Sequence, residues 1–140
     1  MKNITVAVTV DDNMGIAFNK RRQSRDIRLV EDLCQMTDGK IYVSSYSATL
    51  FDNMSDKIEV VNDPLGECKD GSTCFIEATY IGQYKDDIKT LIVYRWNRSY
   101  PSDKKLDVVL ECGEFSKLST LDFTGNSHDV ITKDIYIKTV

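Results

Sequence analysis

Arg21, Arg22, Arg25 and Asp26 stand within six positions of one another. A guanidinium presents its N–H donors in a plane and grips phosphates and carboxylates two at a time, and backbone N–H groups at a helix amino end favour the same anions. The cluster reads either as a site for a small anionic ligand or as a solvated charged loop. Asp26 also has two readings. It is a pocket carboxylate that binds a substrate and assists its protonation, or a first-turn acid favoured by the helix dipole. A second group, Trp96, Asn97, Arg98 and Tyr100, joins aromatic faces to a cation. It suits stacking on a base or a partner if Trp96 is exposed, and core packing if Trp96 is the buried end of a strand. Ser127-His128-Asp129 holds the three residue types of a hydrolase triad. Consecutive side chains in an extended segment point in opposing directions, however, so these three cannot form one. His128 is read as a turn histidine with local hydrogen bonds.

Metal chemistry lacks its ligands. The chain has one histidine, and Cys34, Cys68, Cys74 and Cys112 contain no C-x-x-C pair, so no zinc site of the common kinds is expected. The cysteines are expected to be reduced structural thiols rather than two disulfides. The formal net charge of −4 argues against a general nucleic-acid surface and leaves room only for a local basic patch. Met1-Lys2-Asn3 runs straight into a short β-branched strand, which is neither a signal peptide nor a membrane span. The expectation is a cytoplasmic protein without a membrane partner. With 140 residues, 41% of them hydrophobic and 29% charged, residues 1–140 are read as one folded domain.

These residues must be positioned by the elements around them. Ile4 to Val10 is a near-continuous β-branched run, the pattern of a strand buried on both faces of a parallel or mixed sheet. Asp11 to Gly15 is turn chemistry. Ser24 is placed to cap a helix running to about Met36, with Ile27, Val30, Leu33 and Cys34 on one face and Gly39 closing it in a left-handed conformation. Further strands are expected at Lys40–Ser44, Lys57–Val61, Thr73–Ala78 and Thr90–Trp96. Short helices are expected at Ser47–Met54 and in Tyr80–Asp87, and the segment from Asn62 to Gly71 reads as a long surface loop that is either a lid or an inert insertion. Asp107–Leu110, Lys117–Asp122 and Val130–Ile137 read as short strands of an antiparallel edge.

The order of elements and several residues resemble the dihydrofolate reductase family. Val10-Asp11-Asp12-Asn13-Met14-Gly15 stands where that family has a strand end, two variable residues and Ile-Gly. Gln23-Ser24-Arg25-Asp26-Ile27 stands in place of its Leu-Pro-x-Asp-Leu. Thr37, Gly39 and Lys40 match the close of its first helix, Tyr100-Pro101 its Phe-Pro, and Ser127-His128 its Ser-His before the last strand. The likeness is strongest over residues 3–44 and weak over residues 45–90. It implies an α/β fold with a mixed, mostly parallel central sheet, an antiparallel carboxyl-terminal edge and few flanking helices. It also implies hydride transfer from a reduced nicotinamide dinucleotide to a pterin, with Asp26 as the pocket carboxylate. The cofactor half departs from the family. Ser44-Ser45-Tyr46-Ser47 replaces a phosphate-binding Gly-Arg-x-Thr, and Glu77-Ala78 replaces a Gly-Gly pair that leaves room for the cofactor. No cofactor is therefore expected. The first expectation is a divergent relative that binds a small anionic or nucleotide-like ligand near Arg21, Arg22, Arg25 and Asp26 without reductase chemistry. The alternatives are a nicotinamide-dependent reductase using Asp26, and a partner-binding module using Trp96 to Tyr100. The chain also resembles short bacterial proteins labelled ribonuclease Z, but it lacks the His-x-His-x-Asp-His cluster that zinc requires there.

Overall fold

The strand Ile4–Val10 (β1) lies near the middle of a seven-stranded sheet and is buried along almost its whole length, as its composition requires. A computed structural model describes residues 2–111 and 113–139, with strands β2 (Gly15–Ala17), β3 (Ile41–Val43), β4 (Ile58–Val60), β5 (Thr73–Phe75), β6 (Ile88–Arg95), β7 (Lys104–Lys105), β8 (Phe115–Phe123) and β9 (Ile131–Lys138). The sheet order is β4-β3-β5-β1-β6-β9-β8, and β2 and β7 form a separate antiparallel pair. The first five strands run parallel, and β9 and β8 add the antiparallel edge. Because β5 and β6 take opposite sides of β1, the chain reverses its direction of travel across the sheet there. That crevice beyond the strand carboxyl ends is where α/β sheets place ligands.

Alternation along the strands splits the core into two layers. Ile4, Val6, Val8 and Val10 of β1 join Leu91 and Val93 of β6 on one face. Ala7, Ile92 and Tyr94 join the helix α1 (Ile27–Met36) on the other, through Leu29, Val30 and Leu33. Full burial of a leucine such as Leu33 stabilises the fold by about 1.5–3 kcal/mol. Among the described residues no helix is long and apolar enough to cross a membrane.

Several local elements differ from the sequence expectation. The cap of α1 is Asp26 rather than Ser24, because the Asp26 carboxylate accepts the Arg28 N–H at 2.9 Å. Gly39 is not left-handed. Thr37 leaves the helix in extended conformation and satisfies the Leu33 carbonyl with its own hydroxyl at 2.7 Å, so no left-handed turn is needed. The stretch from Asp107 to Leu110 forms no strand, since Asp107 accepts the Ile81 and Gly82 N–H groups at 2.9 Å ahead of the 3-10 helix Gly82–Asp87. The nearby strand is Lys104–Lys105, which pairs with Gly15–Ala17 outside the seven-stranded sheet. The segment from Asn62 to Gly71 is not all surface loop. It contains a helical turn, α3 (Pro64–Glu67), and buries Leu65 and Cys68 in the core. Beyond β3, a turn of helix, α2 (Ser45–Ala48), passes into a kinked 3-10 segment, Thr49–Lys57. Cys34, Cys68 and Cys74 carry free thiols, and Cys112 lies outside the described residues.

Candidate functional site

The loop between β2 and α1 crosses the carboxyl ends of β1 and β6, and its side chains divide among three places. Arg21 is exposed and lines a recess of about 290 Å³ with Phe18, Gln23, Tyr100 and Pro101. Arg25 is exposed at the mouth of a larger cleft of about 450 Å³, bounded by α1, the 3-10 segment and the turn at Asn126 and Ser127. Among the described residues neither Arg21 nor Arg25 makes an ion pair. Arg22 turns the other way. Its Nε and Nη2 donate to the two oxygens of Glu77 at 2.8 and 2.9 Å, its guanidinium lies 4.2 Å from the centre of the Tyr46 ring, and Nη2 also reaches the Tyr46 carbonyl. The Glu77 side chain is 2% exposed and takes a further hydrogen bond from the Ser47 hydroxyl at 2.7 Å. The three arginines therefore do not converge on one ligand position. Arg98 is exposed on the turn after β6, with its carbonyl accepting the Asp12 N–H.

Asp26 sits under this loop, 4% exposed. Its carboxylate accepts the backbone N–H groups of Arg28, Asn126 and Ser127, the Ser127 hydroxyl and the His128 ring Nδ1, the last at 3.0 Å. Burial works to raise its pKa. The hydrogen bonds from Asn126, His128, Ser127 and Arg28 outweigh burial and hold the pKa down at about 2. A carboxylate so placed ties the start of α1 to the turn before β9, a hundred residues away in sequence. Asp11 plays a comparable part at the end of β1. It accepts N–H groups of Asn13, Gly15 and Tyr100, and these overcome the effect of burial and keep it below the usual carboxylate range.

Trp96 is 2% exposed, so the stacking surface that an exposed tryptophan would offer is not there. Its ring stacks on His128 at 4.5 Å between centroids, 22° from parallel, and its buried indole N–H has no hydrogen-bond partner among the described residues. His128 in turn places Nε2 at 2.9 Å from the Tyr100 hydroxyl and 3.1 Å from the Ser24 hydroxyl. The reading of His128 as a locally bonded turn residue captured only its contact with Ser127. No pattern in the sequence links Ser24, Asp26 and Tyr100 to His128, because the connection is made by folding alone. Among the described residues no cluster of His, Cys, Asp and Glu could hold a metal ion.

Glu77 is followed by Ala78 with φ of 59°, a left-handed conformation that glycine adopts freely and alanine does not. The backbone at Ala78 thus makes a turn of the kind glycine usually occupies. No family model and no curated protein sequence matches the chain. Among solved structures it is similar to dihydrofolate reductase from Enterococcus faecalis complexed with NADP(H) and RAB-propyl, with a TM-score of 0.68 over 99% of this chain and 97% of that one, at 7% identity. The fold is dihydrofolate-reductase-like.

Proposed function

We propose that this chain binds a small anionic or nucleotide-like ligand in the cleft beside the start of α1, without the nicotinamide-dependent reductase chemistry of its structural neighbour. The observation that carries this reading is the Arg22–Glu77 pair. Glu77, Ser47 and Tyr46 belong to the two stretches where the resemblance puts a cofactor's phosphates, and Arg22 closes them together with a bidentate ion pair. A dinucleotide phosphate brought there would meet a buried carboxylate or would have to strip Arg22 from it. These residues do not suit the cofactor. Asp26 has its acceptor positions engaged by five protein donors, which leaves little capacity for a pterin edge. Among the described residues Arg25 makes no ion pair, and it lines the 450 Å³ cleft as the natural contact for the ligand's negative charge.

Thermal-shift screening against inorganic phosphate, nucleotides, folates and both redox states of the nicotinamide dinucleotides tests the reading. A ligand at ~100 times its Kd adds roughly 2.7 kcal/mol to stability. A shift with phosphate or a nucleotide that disappears in Arg25→Gln supports it. A shift with the reduced dinucleotide, or no shift with any anion, overturns it.

A further inference from the structure

We propose that Ser24, His128 and Asp26 form a hydroxyl–imidazole–carboxylate relay that makes Ser24 a nucleophile towards small activated carboxylic esters. The proposal goes beyond ligand binding at Arg25 and does not depend on it. Three observations carry it. Asp26 accepts from Nδ1 of His128 at 3.0 Å, and Ser24 Oγ lies 3.1 Å from Nε2 on the opposite side of the ring, the order and spacing that a Ser-His-Asp relay needs. Asp26 is ionised, and an ionised carboxylate only accepts, so Nδ1 donates to it and Nε2 is the ring nitrogen turned towards the hydroxyls of Ser24 and Tyr100. The ring is held in plane by Trp96 stacked on it and is 4% exposed, whereas Ser24 is half-buried. Tyr100 Oη lies 2.9 Å from Nε2 and 3.4 Å from Ser24 Oγ, and with its hydrogen turned to Ser24 Oγ it leaves Nε2 to the Ser24 hydroxyl. Tyr100 and Gln23, the residue before Ser24, line the recess of about 290 Å³.

The chemistry balances without an external redox partner. Ser24 Oγ attacks the ester carbonyl carbon and its proton passes to Nε2. The C–O bond to the alcohol breaks, and the alcohol leaves with that proton. Water then attacks the acyl-Ser24 with Nε2 again taking a proton, and the carboxylic acid is released as Ser24 recovers its hydrogen. His128 is the base. Asp26 is a positioning residue that acts by fixing the tautomer.

An alkyl fluorophosphonate applied to the full chain reads the nucleophile directly, since labelling forms an Oγ–P bond and expels fluoride. The expected result is a single adduct mapped to Ser24 by mass spectrometry, absent from Ser24→Ala and formed at least ten-fold more slowly in His128→Gln. Because His128 is the chain's only histidine, ¹⁵N NMR of the ring nitrogens reports the tautomer without assignment ambiguity. Nδ1 is expected to carry the proton in the wild type and to lose it to Nε2 in Asp26→Asn. Ser24→Ala removes one hydroxyl and keeps the test decisive even if the His128 variant does not fold. No adduct on Ser24, undiminished labelling of Ser24→Ala, an unchanged rate in a folded His128→Gln, or a wild-type ring protonated at Nε2 each overturns the proposal.

Discussion

Replacing Asp26 by Asn removes an ionised group whose environment is specified by five donors, and its effect can be worked from the structure. The native pKa of about 2 lies below the ordinary 3.8, so the ionised form belongs to the folded state and its stabilisation is fully present above the unfolded value. It is lost as pH falls from about 5 through the native pKa. A fall from 3.8 to about 2 is worth about 2.5 kcal/mol at ~1.36 kcal/mol for each tenfold change in proton affinity. Asp11 and Asp134 are also held below the usual range by their hydrogen bonds, so both proteins remain acid-sensitive. The informative quantity is the difference between wild type and variant. Urea unfolding followed by circular dichroism at pH 5, 4, 3 and 2 gives it. At pH 5 the variant is expected to be less stable by about 2–4 kcal/mol, because the amide turns a donor towards N–H groups that need an acceptor. Between pH 5 and pH 2 that gap is expected to shrink by about 2 kcal/mol, since only the wild type loses the Asp26 contribution. Two stability curves that stay parallel to within about 0.5 kcal/mol would refute the view that these hydrogen bonds hold Asp26 ionised.

Arg22→Met leaves the Glu77 carboxylate buried and unpaired, and is expected to cost about 2–4 kcal/mol in chemical denaturation. The double variant Arg22→Met, Glu77→Leu should recover most of that loss, and a single-variant cost below about 1 kcal/mol would show that the pair is only a surface contact. Ala78→Gly relieves a left-handed alanine and is expected to stabilise the fold by about 0.5–1 kcal/mol, the steric gain exceeding the entropy that glycine loses. A lowered melting temperature would contradict it. Trp96 is the only tryptophan, so iodide quenching of the native fluorescence reads its burial alone. Quenching is expected to be near zero until the protein unfolds, and native-state quenching comparable to that of free tryptophan would place the ring at the surface.

The parts of this fold that were legible in the sequence are those set by local pattern. The β-branched run of Ile4 to Val10 can be satisfied only by a strand covered on both faces, and it became an inner strand of the sheet. The apolar spacing of Ile27, Val30 and Leu33 sufficed to place α1, although the capping residue was misassigned by two positions because Ser24 and Asp26 are both good caps. Only the tertiary position of the 126–128 turn decides between them. Composition could not show that Asp107 would cap the turn before β6 instead of entering a strand.

The site divides in the same way. Glu77, where the resemblance puts a glycine, was a readable conflict, and in the structure its carboxylate meets an arginine and a serine ahead of the left-handed Ala78. His128 was unreadable. Its immediate neighbours Ser127 and Asp129 were the wrong partners to weigh, and the right ones, Asp26 and Ser24, lie 102 and 104 residues earlier. Contacts of that separation arise when α1 and the β8–β9 hairpin, elements with independent local codes, pack over the same strand ends. One chain segment therefore contributes the carboxylate and the hydroxyl, and another contributes the imidazole between them. A site built this way is held by the stability of the whole sheet rather than by a loop of its own. Variants that loosen α1 should accordingly disturb the His128 ring even when they touch none of its hydrogen-bond partners. Leu33→Ala, buried at the centre of the helix face and expected to cost about 2–5 kcal/mol, provides that comparison when the ring nitrogens are followed by NMR across a urea titration. Loss of the Nδ1 proton signal at the same urea concentration as the global transition is the expected result, and its loss well before that transition would show that the cluster depends on a locally stable loop instead.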